Sequence, residues 1–148
     1  MIGAMSRRHI RTLYVEDDPE DVELFRMAAQ RCDGTLELHV VQDGESASEY
    51  FRSVESGETA RPEIVLLDLN LPRKDGITLL KEIKESEFKA TPVMILSSSS
   101  AERDVNAAYS NGASIYLEKP NAMEDLCEMV GLIGRLWAVF ARLPPPEA

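Results

Sequence analysis

Side chains capable of chemistry follow four of the five strands that the sequence predicts. Glu16 and Asp17 come after the first strand, Asp68 after the third, Ser97 at the end of the fourth and Lys119 after the fifth. The carboxyl ends of parallel strands meet at one edge of a sheet, where ligands and chemistry collect. We therefore expect these side chains to form one polar site.

Held close together, the three carboxylates repel one another, and at neutral pH at least one of them keeps its proton unless a cation is bound. Oxygen ligands too few for a complete cage suit Mg²⁺, which retains several waters and accepts phosphate oxygens. Lys119 adds a positive charge that can hold a phosphoryl oxygen, and the hydroxyl of Ser97 can donate to another. The residue types therefore predict Mg²⁺ as the cofactor and phosphoryl chemistry at this edge.

Each of these residues, taken alone, also has an ordinary structural explanation. An acidic residue after a strand often caps the next helix, and Asp18 before Pro19 fits that role well. The run Ser97–Ser100 can be a solvated loop, and Lys119 before Pro120 carries little information by itself. The repetition at successive strand ends is what favours a functional site.

The elements that would position the site alternate regularly along the chain. Uninterrupted apolar runs at Ile64–Leu67 and Pro92–Leu96 are typical of strands covered on both faces. Further strands are predicted at Thr12–Val15, Leu36–Val41 and Ser114–Glu118, and a segment with apolar residues at helical spacing follows each strand. This alternation predicts an α/β fold with a doubly wound, five-stranded parallel sheet and helices on both faces.

Composition narrows the classes of partner. The chain has 148 residues and a formal charge of −10. Its acidic balance argues against a nucleic-acid-binding surface, because phosphate backbones are bound by clusters of Lys and Arg, and the basic cluster Arg7–Arg11 is short. No segment approaches the roughly 20 apolar residues of a membrane span. We expect neither nucleic acid nor a membrane as a partner.

Cys32 and Cys127 lie far apart in predicted helices and are expected to be separate, small apolar residues rather than a disulfide. With no signal-peptide apolar core near the N-terminus, this predicts a reducing, cytoplasmic location. We divide the chain into a flexible N-terminus (residues 1–9), one domain with an extended last helix (residues 10–143) and a Pro-rich tail (residues 144–148).

Four motifs together resemble the receiver domain of two-component response regulators, over about residues 10 to 142. The resemblance implies a flavodoxin-like strand order, 2-1-3-4-5. It also implies that Pro120 follows a cis peptide bond, and that Asn70 and Ser99 tune the hydrolysis of a phosphorylated form. The motifs are Val15-Glu16-Asp17-Asp18, Leu66-Leu67-Asp68-Leu69-Asn70-Leu71-Pro72, Met94-Ile95-Leu96-Ser97-Ser98 and Tyr116-Leu117-Glu118-Lys119-Pro120.

The resemblance implies a role for each polar residue. Two positions depart from the commonest pattern: Ser97 stands where threonine is more frequent, and Ser98 where a small apolar residue is common. Neither departure removes a required chemical group. The implied roles are Asp68 as the phosphoacceptor, Asp17 as a direct Mg²⁺ ligand, Glu16 as a ligand through water, Asn70 as a ligand through its backbone carbonyl, Ser97 as the switch hydroxyl, Tyr116 as the rotameric aromatic residue and Lys119 as the phosphoryl-binding lysine.

The function implied is a single-domain regulator that takes a phosphoryl group from a sensor histidine kinase and signals by protein contact. It would catalyse only its own phosphorylation and dephosphorylation. The segment Leu67–Glu82, with Leu136-Trp137 and Leu143-Pro144, is similar to stand-alone regulators paired with phytochrome-type kinases. The alternatives are a pseudo-receiver that only docks partners and a haloacid-dehalogenase-like phosphatase, which needs a carboxylate where Asn70 stands.

The predicted last helix, Met123 to about Leu143, carries two apolar stripes. They span about half of the helix circumference, wider than the roughly 100° needed for packing on one core. We expect the first stripe to cover the sheet and the second to form a homodimer contact, unless the loop before the third strand or the proline tail covers it. The first stripe is Leu126, Val130, Ile133, Trp137 and Phe140, and the second is Met129, Leu132, Leu136, Val139 and Leu143.

Overall fold

The computed structural model describes residues 8–32 and 34–145. Most of the predicted flexible N-terminus, Asp33 and the last three residues of the tail therefore lie outside the described residues. Strands and helices alternate as the sequence predicts. The elements are β1 Ile10–Val15, α1 Pro19–Cys32, β2 Leu36–Val41, α2 Gly44–Glu55, β3 Ile64–Leu67, α3 Gly76–Lys84, β4 Val93–Ser97, α4 Glu102–Ser110, β5 Ile115–Glu118, α5 Met123–Arg135 and a π-helical segment Leu136–Phe140.

The five strands form one parallel sheet in the order β2-β1-β3-β4-β5, which confirms the predicted fold. In this register Val15 lies opposite Leu67, and Leu67 lies opposite Ile95. The last residue of β1 is therefore level with the last residue of β3. The residues that follow these two strands emerge side by side at the carboxyl edge.

Helices cover both faces of the sheet because successive strand side chains point to opposite sides. On one face, Leu13 and Val15 of β1 pack in a cluster with residues of α2, α3 and α4. On the other face, Tyr14 packs with Phe25 of α1 and with residues of α5. All four residues of β3 are buried, as expected for a central strand covered on both sides.

The last helix differs from the prediction at its C-terminal end. It changes from α-helical to π-helical hydrogen bonding at Leu136 and ends at Phe140, where the Ala141 amide donates to the Leu136 carbonyl at 2.6 Å. A π-helical turn holds more residues than an α-helical turn, so it rotates the following positions away from the expected face. Phe140, predicted to cover the sheet, is 69% exposed. Trp137 stays on the sheet side, with its indole N–H 3.4 Å from Met94 Sδ.

The second predicted stripe divides into two groups. Met129 and Leu143 are half-buried and pack against the core, so little of either side chain is available for a contact with another chain. Leu143 does so because the chain beyond Phe140 is extended and passes the amino edge of the sheet, where Leu143 lines a cavity with Arg11. The remaining members of the stripe are exposed: Leu132, Leu136 and Val139.

The expectation that the two cysteines are separate thiols is also wrong. The structure joins Cys32, the last residue of α1, to Cys127 of α5 in a disulfide whose Cα atoms are 5.6 Å apart. The residues are 95 positions apart in sequence. They meet because α1 and α5 pack side by side on the same face of the sheet.

Within the described parts of the chain, the helices lack the combination of length and apolar character that crossing a membrane requires.

The loop between β3 and α3 approaches α3 closely at Gly76. A Cβ atom there would lie 2.5 Å from Leu69 Cα and 2.6 Å from the carbonyl oxygen of Asp68, both of them backbone atoms. We predict that Gly76→Ala lowers the free energy of unfolding by about 1–3 kcal/mol, because this loop must shift. Equilibrium urea unfolding measures the loss.

Gly131→Ala is the matched control, because a Cβ atom at this position of α5 meets nothing within 4 Å. It should raise stability by up to about 1 kcal/mol through the higher helix propensity of alanine. Equal effects of the two substitutions would contradict the close approach at Gly76.

Candidate functional site

The parallel register brings the acidic residues of β1 and β3 together. Glu16 and Asp68 each follow the last residue of their strand, and the Asp68 amide donates to the Val15 carbonyl at 3.1 Å. One carboxylate oxygen from each of Glu16, Asp17 and Asp68 lies within 4.8 Å of the other two. Glu16 and Asp68 are buried and Asp17 is exposed, so the group is open to solvent on one side.

Lys119 forms ion pairs with Glu16 and Asp68 and with a further acid, Asp21. Its Nζ atom is 2.5 Å from Glu16 Oε1, 2.9 Å from Asp21 Oδ2 and 3.4 Å from Asp68 Oδ2. The backbone places it there, because the Lys119 amide donates to the Ser97 carbonyl at 2.8 Å and so continues the pairing of β5 with β4. In this structure, then, one ammonium group partly neutralises three carboxylates.

Burial and the neighbouring charges shift the pKa values of Glu16 and Lys119. Burial raises the pKa of Glu16 to about 7, and the nearby charge of Asp68 adds to this, although the hydrogen bond from Lys119 opposes it. Burial disfavours the charge of Lys119, but its hydrogen bonds to Glu16 and Asp21 and the charge of Asp68 outweigh burial and raise its pKa. A carboxyl group that titrates near neutral pH agrees with the expectation that this cluster holds a proton or a cation.

Asp18 caps α1. Its Oδ1 atom accepts a hydrogen bond from the Glu20 amide at 2.9 Å, which satisfies a free N–H group in the first turn. The Asp18 amide donates to Glu16 Oε2 at 3.2 Å and thereby orients that carboxylate. The Asp18 side chain is therefore structural, and its backbone supports the site.

The loop after β3 carries Asn70, whose backbone N–H donates to Asp68 Oδ1 at 3.3 Å. Arg73 in this loop has a positive φ of 68°, a conformation uncommon for residues other than glycine. Lys74 fixes the end of the loop, because its Nζ atom is 2.6 Å from Glu82 Oε2 and 2.9 Å from Ser48 Oγ. The hydrogen bond to Glu82 raises the pKa of Lys74. These contacts connect the loop to both α2 and α3.

Ser97 and Tyr116 are linked through Ser99. The buried Ser97 Oγ accepts a hydrogen bond from the Ser99 amide at 3.2 Å, and the Tyr116 hydroxyl donates to the Ser99 carbonyl at 2.9 Å. The Ser99 hydroxyl in turn donates to Asp104 Oδ2 of α4 at 2.6 Å. A displacement of Ser97 would therefore reach both Tyr116 and α4.

The cis peptide bond expected before Pro120 is not present. Among the described residues the peptide bonds are trans, including that between Lys119 and Pro120. Lys119 reaches the carboxylates with this trans bond, so its placement does not depend on the rarer isomer.

Two parts of the site were not predicted from the sequence: Asp21, and the group formed by Lys74, Ser48 and Glu82 (the Lys74 cluster). Asp21 is in the first turn of α1, four positions after Asp17, where an acidic residue is also favoured by the helix dipole. Because the helix dipole alone explains an acidic residue here, the sequence gives no sign that Asp21 contacts Lys119. The Lys74 cluster has no sequence signal, because Ser48 and Glu82 belong to different helices.

A family model described as "Response regulator receiver domain" matches residues 12–131. The chain is also similar to curated proteins along most of their length. It is 39% identical to "Probable methanogenesis regulatory protein FilR2" of Methanothrix harundinacea, over 90% of this chain and 87% of that protein. It is 37% identical to "Response regulator Rcp1" of Synechocystis, over 89% of this chain and 91% of that protein.

Solved structures of response regulators have the same fold as this chain. The phosphorylated cyanobacterial phytochrome response regulator RcpA superposes with a TM-score of 0.84 and 35% identity, covering 93% of this chain and 99% of that chain. The Mn²⁺-bound form of Rcp1 superposes with a TM-score of 0.81 and 36% identity, covering 92% of this chain and 99% of that chain. The donor set described above, three carboxylates at a partly open edge, has the chemistry that such a divalent cation prefers.

Divalent cations should stabilise the chain more at alkaline pH than at acidic pH. Burial raises the pKa of Glu16 from 4.5 to about 7, so between these values the folded chain holds a proton that the unfolded chain has lost. This proton on Glu16 stabilises the folded chain. Its contribution is complete below pH 4.5 and is lost as the pH rises through about 7. At about pH 8, saturating Mn²⁺ should raise the melting temperature by about 5–10 °C, and by less at about pH 6.

The neighbouring acids provide the control. Asp17→Asn should abolish most of the shift produced by Mn²⁺, whereas Asp18→Asn should keep it, because asparagine also caps a helix. An equal loss in both variants, or a shift independent of pH, would contradict this assignment.

Proposed function

The chain belongs to the response regulator receiver domain family, and we propose that it accepts a phosphoryl group on Asp68 from a sensor histidine kinase and signals through protein contacts. The observation that supports this proposal is the arrangement around Asp68. Its carboxylate is buried within reach of Lys119 and beside two other acids. Receiver domains partner histidine kinases, bind a divalent metal at an acidic pocket, and are as a class signalling proteins rather than enzymes.

In the proposed reaction, an Asp68 carboxylate oxygen attacks the phosphorus of a phosphohistidine. A new P–O bond forms as the P–N bond breaks, and the imidazole of the kinase leaves with the electron pair. Mg²⁺, when bound by Asp17, Asp68, the Asn70 carbonyl and, through water, Glu16, would neutralise charge on the phosphoryl oxygens. Lys119, already 3.4 Å from Asp68 Oδ2, would hold a phosphoryl oxygen. Positioning and charge stabilisation provide most of the catalysis.

The same modification would act as the switch. A phosphoryl group adds a charge of about −1.5 to −2 at Asp68 and several strong acceptors. The hydroxyl of Ser97 would move to donate to one of them, and Ser99 and Tyr116 would follow because they are hydrogen-bonded in series. The surface around α4 and α5 is then the region that changes. Asn70 and Ser99 are proposed to tune the hydrolysis of the aspartyl phosphate.

We further propose a phytochrome-type kinase as the phosphoryl donor. Support comes from the similarity to RcpA, a phytochrome response regulator, along nearly all of its chain. The pseudo-receiver alternative is disfavoured because the acidic group, Lys119 and Ser97 all retain their chemical functions. Asn70, not a carboxylate, stands two positions after Asp68, so the phosphatase alternative lacks its second acid.

Incubation with acetyl phosphate and Mg²⁺ should give an adduct that is stable in acid and labile in base. Asp68→Asn should remove it completely, because the amide cannot act as the nucleophile. Intact mass spectrometry before and after base treatment measures both. Asp75→Asn is the control: Asp75 only caps α3 by accepting a hydrogen bond from the Thr78 amide, so this variant should still be phosphorylated on Asp68. An adduct that persists in Asp68→Asn would refute the proposed acceptor.

We propose a homodimer formed through the last helix. Leu132, Leu136, Val139 and Phe140 are all exposed on this element, with Leu132 58% exposed, and such a cluster of large apolar side chains is typical of an interaction surface. The half-buried Met129 and Leu143 would lie at its border with the core. In this dimer the last helix would carry the signal away from the site.

Replacing both Leu132 and Leu136 with Glu should weaken the dimer at least about 100-fold, because charges would be buried without partners. Sedimentation equilibrium measures this. Leu24→Glu is the matched control, since Leu24 on α1 is as exposed as Leu136. A double variant that remains dimeric would exclude this surface.

A further inference from the structure

The Cys32–Cys127 pair lies outside the acidic site and has no part in phosphoryl transfer. We propose that this pair is a redox modification site: it forms a reversible disulfide that fastens α1 to α5 and makes the strength of their contact depend on the thiol–disulfide state. This redox chemistry is independent of the function proposed above.

The backbone places the two cysteines at bonding distance. Their Cα atoms are 5.6 Å apart, within the range of about 4.4–6.8 Å that disulfides require. The helices that carry them pack against the same face of the sheet, and Ala28 and Ala29 of α1 share a buried cluster with Val130 and Ile133 of α5. The disulfide therefore fits the packing of the two helices.

The two thiols are also accessible to small reagents, and within one molecule they can pair in one way. Both side chains are only half-buried, so a small disulfide reagent can reach them, whereas a fully buried thiol is inert. They are the two cysteines of the chain, so oxidation within one molecule has a single product. A partly accessible pair of this kind is suited to exchange.

The chemistry is thiol–disulfide exchange with a disulfide of the glutathione class. The thiolate of one cysteine attacks the oxidant, giving a mixed disulfide and releasing one thiolate. The thiolate of the second cysteine then attacks the protein sulfur of the mixed disulfide and releases the second. The two protein thiols lose two electrons and two protons, and the oxidant becomes two thiols.

Oxidation should stabilise the packing of α1 against α5. The bond joins residues 95 positions apart and so restricts the unfolded chain strongly. α1 carries Asp21, which binds Lys119 at the site, and α5 carries the exposed Leu132. In the reduced protein the contact between α1 and α5 depends on side-chain packing alone, and α5 is freer to move.

The test treats the full chain with oxidised glutathione or with dithiothreitol. The oxidised protein should be monomeric on a denaturing gel without reductant, lighter by two hydrogen atoms and free of reactive thiols. Reduction should restore two thiols and lower the melting temperature by about 10 °C. Hydrogen exchange of the α5 amides should be faster in the reduced form.

Cys32→Ser and Cys127→Ser are the controls. Each should melt like the reduced wild type and should not respond to dithiothreitol. The proposal is overturned if the wild type keeps two reactive thiols in oxidised glutathione, or stops at the mixed disulfide or an intermolecular dimer. It is equally overturned if its melting temperature and α5 exchange are the same in both redox states.

Discussion

The electrostatic balance between Lys119 and three carboxylates governs the carboxyl edge of the sheet. Glu16 and Asp68 are buried next to each other, and their repulsion is opposed by an ammonium group that also binds Asp21. Burial still raises the pKa of Glu16 to about 7, so the opposition is incomplete. A cluster left in this condition has an unsatisfied preference for positive charge, which a proton or a divalent cation can meet.

Contacts on both sides connect this cluster to the neighbouring helices. On the β3 side, the close approach at Gly76 and the contacts of Lys74 with α2 and α3 fix the loop after Asp68. On the β4 side, Ser97 is connected to Tyr116 and α4 by hydrogen bonds through Ser99. In the proposed switch, a change of charge at the cluster would reach Tyr116 and α4 through Ser99.

The last helix connects the core to the outer surface. Its α-helical part is anchored by Val130 and Ile133, and the following π-helical segment rotates Phe140 into solvent while Trp137 remains on the sheet. The same helix is bonded to α1 through Cys127. The exposed apolar side chains are thus carried by an element whose position depends on both packing and a covalent link.

The sequence alone determined the order of strands and helices and the meeting of Asp68 with Lys119. Apolar runs and helical spacing are local properties, and parallel strands necessarily bring their carboxyl ends to one edge. Only the tertiary structure decided that Asp21 joins Lys119 and that Cys32 meets Cys127. Both contacts depend on how far each helix lies along its neighbours, and side-chain packing sets that position with no local signal in the chain.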